Sequence, residues 1–321
     1  MNDMAELLHY ATIALTISVP AIGVGIGEGL TGIAATEAIN RQPKAQSDIL
    51  KLSVLCMALI ETAAIMGAAI SMMLLFDRSH QSTLYASIAQ MGIVLAICIP
   101  GFVVGVVSSF PAQQACNAVA RQPFFAQKIL RFTLITLSIL QTPIIFGFLI
   151  ALLIKSNAYA ITSYAQSLQM LAAGLCIGIG SIGPSNGMAQ FAKTACAGLG
   201  LNRNAYNQLF AFTIVSEAII ETPIIFAVVI ALLIATYPPD STGTISLLKG
   251  IALLSAGVCT GLGTIGPGIS SGKTAAAACH EIAKNPDHYH LVSKISMFAQ
   301  GLIDTGAIYA LIISVWLILW T

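Results

Sequence analysis

Long apolar runs separated by short polar turns set the pattern of this 321-residue chain. Charge-poor stretches long enough to cross a bilayer, about 20 residues each, occur eight times. They run Leu7–Thr36, Lys51–Phe76, Leu84–Ala120, Phe132–Ile154, Leu168–Ala192, Leu209–Tyr237, Gly250–Gly272 and Ile295–Trp320. Several exceed the thickness of the hydrocarbon, so these helices should tilt or project beyond it. Membrane strands would show segments of about ten residues with alternating polarity, and none is present. The pattern predicts an all-α integral membrane protein with eight transmembrane helices.

The eight spans pair into four tandem helical hairpins, over 1–79, 80–160, 161–240 and 241–321. Internal similarity marks the repeat: Thr142-Pro143-Ile144-Ile145-Phe146 matches Thr222-Pro223-Ile224-Ile225-Phe226, and Ile150–Ile154 matches Ile230–Ile234. An even number of spans per unit makes the repeats parallel, all pointing the same way through the membrane.

One polar residue stands inside the second span of every hairpin, 18 positions after a short polar turn. Glu61 follows Arg41-Gln42-Pro43, Gln141 follows Arg121-Gln122-Pro123, Glu221 follows Leu201-Asn202-Arg203, and Asp304 follows Lys284-Asn285-Pro286. The first three are spaced by 80 residues and the fourth by 83. A charged residue at mid-membrane costs roughly 2.5–3.5 kcal/mol on insertion scales, which makes it a functional site by default. Eighteen residues of helix rise roughly 27 Å, which brings each position near mid-membrane if the helix stands a turn or two proud of the lipid. A carboxyl there stays protonated or bound to a cation until a polar path exposes it.

Composition narrows the reading. The chain is 57% hydrophobic and 8% charged, with a mean hydropathy of +0.87, against about 25% charged in soluble domains. A net charge of +1 and the lack of a basic tract argue against nucleic acid. The seven cysteines are scattered through apolar segments without a C-x-x-C pair, as packing residues are. His288 and His290 flank Tyr289 in a polar turn and lack metal-ligand spacing. The first apolar stretch lacks a signal peptide's basic region and cleavage site, so it is expected to be a retained span.

Lys and Arg set the expected orientation. Eleven of them lie in or beside the turns within hairpins (Arg41, Lys44, Lys51, Arg121, Lys128, Arg131, Lys193, Arg203, Lys273, Lys284, Lys294), and three in the turns between hairpins (Arg78, Lys155, Lys249). The turns within hairpins should therefore be cytoplasmic and both termini on the other side, in a bacterial inner membrane.

The first helix of each hairpin is rich in glycine, with pairs four apart such as Gly23/Gly27, Gly25/Gly29, Gly101/Gly105, Gly174/Gly178 and Gly257/Gly261. Such pairs leave a bare groove that lets helices pack closely in lipid. Unit two, with Gly101 and Gly105, is expected to pack more loosely. Gly23 to Gly29 lacks the preceding strand of a dinucleotide loop, and Gly266 to Thr274 has Pro267 where a phosphate loop needs glycine.

Further side chains crowd the acids. Thr62, Thr142, Thr222 and Thr305 each follow a site position. Their hydroxyls either bond back to a helix carbonyl or serve as ligands to an ion or partners to the carboxyl. Pro143 and Pro223 free the carbonyls of Ile139 and Ile219 and can kink the helix at that depth. Glu28, on the first helix of unit one, reaches the depth of Glu61, and the matching positions are Ser108, Met188 and Ser271. Two facing carboxylates do not readily both ionise, so Glu28 and Glu61 would share a proton or clamp a cation. Glu217, four residues before Glu221, either plays that part in unit three or reaches a polar group on a neighbouring helix. Gln141 cannot titrate and reads as a neutral placeholder.

Glycine-rich first helices, Arg-Gln-Pro at 41–43 and 121–123, and a carboxylate 18 residues after the turn together resemble the c-type proteolipid of the rotor ring of F-type ATP synthases. Essentially the whole chain is covered, as four fused copies of one hairpin. Fusion and loss of one carboxylate are also similar to the vacuolar-type proteolipid. The resemblance implies a non-catalytic membrane protein without cofactor, several copies of which close into a ring. Glycine helices would line the inside, and Glu61, Glu221 and Asp304 would exchange protons with half-channels of the stator a subunit. Arg41, Gln42, Pro43, Arg121, Gln122 and Pro123 would contact the central stalk, and lipid would surround the ring. Three acids per four hairpins implies a smaller ion-to-ATP ratio, which favours ATP-driven pumping. Sodium-type members pair a first-helix Gln or Glu with the acid, a hydroxyl after it and a tyrosine one turn on. Glu28, Glu61 and Thr62 match that in part, as do Ser271, Asp304, Thr305 and Tyr309. Met188, Met66 and Phe226 do not match, and protons are the favoured ion, with sodium the alternative. A repeat-built secondary transporter or channel would show unwound helices and distinct polar sets, whereas the chain carries one site per hairpin at a fixed offset.

Overall fold

A computed structural model describes residues 2–77, 83–239 and 245–320. Twelve α-helices and four 3₁₀ turns account for it, and no strand occurs among the described residues. Hairpin one is α1 (Asn2–Arg41) and α2 (Gln46–Leu75). Hairpin two is α3 (Leu84–Val107) with α4 (Ser109–Arg121), then α5 (Ala126–Leu140) with α6 (Thr142–Ala158). Hairpin three is α7 (Tyr164–Gly180) with α8 (Ile182–Leu201), then α9 (Tyr206–Ala235). Hairpin four is α10 (Leu247–Gly263) with α11 (Ile265–Lys284), then α12 (Tyr289–Trp320). Taken through their brief interruptions, eight helices are long and apolar enough to cross a membrane.

The helices outrun the apolar stretches read from the sequence. The fourth, expected over Phe132–Ile154, extends over Pro123–Ala158. The added turns carry Lys128, Arg131 and Lys155, whose charges need water but whose backbone bonds do not. Arg78 and the boundaries 79/80 and 240/241 lie outside the described residues. Each hairpin bends at a 3₁₀ turn: Pro43–Ala45, Pro123–Phe125, Arg203–Ala205 and Pro286–His288. Three of them begin with proline, whose fixed φ and missing N–H suit a first helical position. In the third, the Asn202 side chain instead accepts from the Asn204 N–H. The turns also stitch hairpins together: Gln122 Nε2 donates to Gly200 O (3.0 Å) and Asn202 Nδ2 to Ala283 O (3.0 Å).

Two layers result. The glycine-rich helices α1, α3–α4, α7–α8 and α10–α11 pack side by side in chain order as one row, and α2, α5–α6, α9 and α12 cover its other side. Within the row, backbone meets backbone. A Cβ at Gly23 would come within 2.5 Å of Phe102 O, and one at Gly92 within 2.5 Å of Met170 O. One at Gly183 would come within 2.5 Å of Ile265. Gly187 meets the carbonyl of Gly268. In lipid there is no apolar driving force between helices, so this close packing supplies the attraction.

Unit two does not pack loosely. Gly101 and Gly105 meet Pro20 and Gly23, while Gly92 abuts Met170 and receives Gly174. The sequence reading passed over Gly92, and it counted glycines per helix where the contact needs only one small residue from either side.

The two layers meet through reciprocal size changes. Gly67 faces Pro20 and Gly147 faces Pro100 in hairpins one and two. At the same register in hairpins three and four, glycine moves to the other side, as Gly180 against Ala227 and Gly263 against Ala310. Prolines inside the row leave carbonyls without their helical donor. The carbonyl of Gly180, freed by Pro184, accepts from the Thr264 hydroxyl of the next hairpin (3.2 Å).

Gly187→Leu forces a side chain into the Gly268 backbone and should destabilise the bundle by about 1–3 kcal/mol. Thermal unfolding of the detergent-solubilised chain measures it, and a variant that melts with the native protein would refute backbone contact at this junction.

Candidate functional site

Glu61, Gln141, Glu221 and Asp304 stand at one register of the outer layer, on α2, at the α5–α6 break, on α9 and on α12. Their surroundings differ from hairpin to hairpin. In hairpin four, Asp304 is buried and accepts from the Ser271 hydroxyl of α11 (3.1 Å). In hairpin two, the buried Gln141 donates through Nε2 to Ser108 Oγ (3.3 Å), while its Oε1 accepts from Thr62 of hairpin one (3.0 Å). In hairpin three, Glu221 is half-buried, and the Thr142 hydroxyl of hairpin two lies within hydrogen-bonding reach of its carboxyl. Gln141 is met both by a first-helix residue of its own hairpin and by the threonine of the preceding hairpin, whereas Asp304 has the first, Ser271, and Glu221 the second, Thr142.

Two of the threonines reach forward to the next hairpin, Thr62 to Gln141 and Thr142 toward Glu221. All four bond back along their own span: Thr62 to Leu59 O (2.6 Å), Thr142 across the α5–α6 break to Ile139 O (2.5 Å), Thr222 to Ala218 O (3.1 Å) and Thr305 to Leu302 O (2.7 Å). For Thr142 the bond has a further cause, since Ile139 is the carbonyl that Pro143 deprives of its donor. The helix breaks there at Gln141, whereas α9 runs unbroken through Pro223. Of the two prolines expected to disturb the helix, Pro143 follows an interruption and Pro223 does not.

Glu61 is exposed, and Glu28 on α1 is half-buried and within range of its charge. Among the described residues, no threonine of another hairpin bonds Glu61 as Thr62 bonds Gln141. Met188 occupies the place of Glu28 in hairpin three and brings no polar atom. Tyr309, one turn beyond Asp304, is 66% exposed on the outer surface. Glu217 is 0% exposed, and neither carboxyl oxygen has a partner among the described residues.

At the turns, Arg41 bonds Asn117 (3.2 Å) and pairs with Glu37 (3.1 Å), and Gln122 is engaged with Gly200. Pro123 opens its 3₁₀ turn beside Phe124, which is fully exposed at the tip. The sequence reading missed Phe124 because its neighbours, Pro123 and Phe125, are also apolar. It missed the cross-hairpin threonines because their partners are 79 residues away. The 80-residue register was the available signal. Among the described residues, no group of three or more His, Cys, Asp or Glu gathers as a metal site would.

The sequence profile of the ATP synthase C-subunit family matches residues 11–74, 171–234 and 254–317. Those stretches hold Glu61, Glu221 and Asp304, and the matched stretches leave out Gln141. The ATP synthase c-subunit of Gloeobacter violaceus is 38% identical over 76 residues, 24% of this chain and 93% of that protein. Its counterpart in Thermotoga petrophila is 35% identical over 77 residues, 23% of this chain and 91% of that protein. The K-subunit of the A-type ATP synthase of Methanocaldococcus jannaschii is 28% identical over 243 residues, 72% of this chain and 96% of that protein.

Ser271→Ala strips Asp304 of its hydroxyl donor inside the bundle and should cost about 1–3 kcal/mol of stability, read from thermal unfolding. No loss at all would mean that the contact between Ser271 and Asp304 is not made.

Proposed function

This chain belongs to the ATP synthase C-subunit family, and from that premise we propose that it forms the rotor ring of a rotary ATP synthase or ATPase. It is a multi-pass membrane protein, and its role in the complex is to carry ions. In this reading 1–79, 80–160, 161–240 and 241–321 are four rotor units. Glu61, Glu221 and Asp304 are proton seats, and Gln141 keeps the hydrogen bonds of a seat without its charge.

The observation that carries the ring is a pair of open glycines. Gly105 packs on Gly23, and Gly268 packs on Gly183, at two internal junctions. By register, the first hairpin's equivalent of Gly105 and Gly268 is Gly25, and the last hairpin's equivalent of Gly23 and Gly183 is Gly266. Neither Gly25 nor Gly266 has anything within 4 Å of a would-be Cβ. The two ends of the row therefore carry the two halves of the same junction, ready for a second copy. Such a copy would bring its Thr305 to the open side of Glu61, as Thr62 lies against Gln141 and Thr142 near Glu221. Because the glycine row is the tighter layer, it belongs on the inside of the closed ring.

Protons suit the seats. Ser271 is one hydroxyl partner for Asp304, which suffices for a protonated carboxyl, whereas a sodium ion needs several oxygens. A stator a subunit would load and unload the seats from the outer surface. The turns within hairpins, on the cytoplasmic side by their Lys and Arg, would meet the central stalk through Arg41 to Pro43, Arg121 to Pro123 and the exposed Phe124. Both termini would then face away from the cytoplasm, across the plasma membrane of a bacterium.

Two measurements test this. A carbodiimide applied to native membranes should label Glu61, Glu221 and Asp304, equally with and without sodium. Failure of all three to react would sink the seats, and protection by sodium would reassign the ion. Gly25→Leu should leave the chain folded and inserted but abolish the ring on native gels. A normal ring would refute the closing junction.

A further inference from the structure

Unpartnered polar atoms gather around Glu217 in hairpin three. This carboxyl is 0% exposed, and among the described residues neither its oxygens nor the buried hydroxyls of Thr213 and Ser216 have a hydrogen-bond partner. All three lie within about one turn of α9. Cys196 of α8 and Cys279 of α11 sit close enough to interact with its charge. Cys196 is held by Thr133 (3.6 Å), so it is already occupied. The corresponding residue is Met57 in hairpin one, Leu137 in hairpin two and Gln300 in hairpin four. Packing between the layers is therefore compatible with an apolar side chain at this place, and the carboxyl is not required for it.

A buried carboxylate without partners is too costly to persist as an ion, and buried polar groups find water where protein offers nothing. Glu217 and Glu221 are one turn apart and project within about 40° of each other around the helix axis. We propose that Glu217, hydrated among Thr213 and Ser216, is a proton relay that serves the Glu221 seat from the side of the hairpin turn. It accepts a proton from water on one oxygen as the other releases its proton toward the Glu221 carboxylate, so that one proton enters for each that leaves. Hairpin three thereby differs from hairpins one and four in how fast its seat exchanges. The relay rests on the reading of Glu221 as a proton seat.

Infrared spectroscopy of the intact purified ring, transferred into heavy water, tests it. The protonated carboxyl band of Glu217 is the one missing in Glu217→Gln, and that of Glu221 the one missing in Glu221→Gln. The Glu217 band should shift within about a minute, whereas a dry group that waits for local opening takes minutes to hours. Glu217→Leu, which installs the residue of hairpin two, and Glu217→Gln should both slow exchange at Glu221 by roughly 100-fold and leave Asp304 unchanged. A Glu217 band unshifted after hours, or Glu221 exchange equal to native in both variants, overturns the relay and leaves the seat standing. Absence of any exchangeable Glu221 band overturns the seat and the relay together.

Discussion

Contact between bare helix backbones in the glycine row governs the geometry of everything outside it. Where Gly183 meets Ile265 and Gly187 meets Gly268, no side chain holds the helices apart. The outer helices then have fixed depths and fixed seams, and the seams are where the polar residues lie. Hydrocarbon gives helices no hydrophobic reason to associate, so the same bare contact that positions the seams also supplies much of the adhesion. The reciprocal changes between the layers obey this constraint. Proline faces glycine in hairpins one and two, and glycine faces alanine in hairpins three and four, so each pair keeps a small partner.

Polar groups in such a bundle depend on one another across hairpin boundaries. Carbonyls freed by proline are recaptured by hydroxyls: Gly180 O by Thr264 of the next hairpin, Ile139 O by Thr142 across the α5–α6 break. The amide of Gln141 spans Ser108 and Thr62 and so joins two hairpins through one side chain. Substituting an amide for an acid at this place removes the charge and keeps the tie.

Much of this was legible in the sequence because each relevant signal is periodic. Eight apolar runs gave the helices, and the 80-residue spacing placed Glu61, Gln141 and Glu221 at one register. The glycine pairs marked the row. Relations between different hairpins were not legible. Nothing near Thr62 says that it serves Gln141, and Gly92 has no glycine four residues away to draw notice. Identical local sequence also misled: Thr-Pro-Ile-Ile-Phe follows a break at Gln141 but lies within unbroken helix after Glu221.

The silent position of Gln141 bears on rhythm. Around the proposed wheel, Glu221 is followed by Asp304 after one hairpin, then by the next copy's Glu61 after one more. The following acid, Glu221 again, comes only after two. Rotation past a fixed stator would proceed as two short strokes and one long, repeated once per copy. On the long stroke the Gln141 amide would pass the proposed stator without a charge to exchange, and the wheel would have to cross that gap with no ion to drive it.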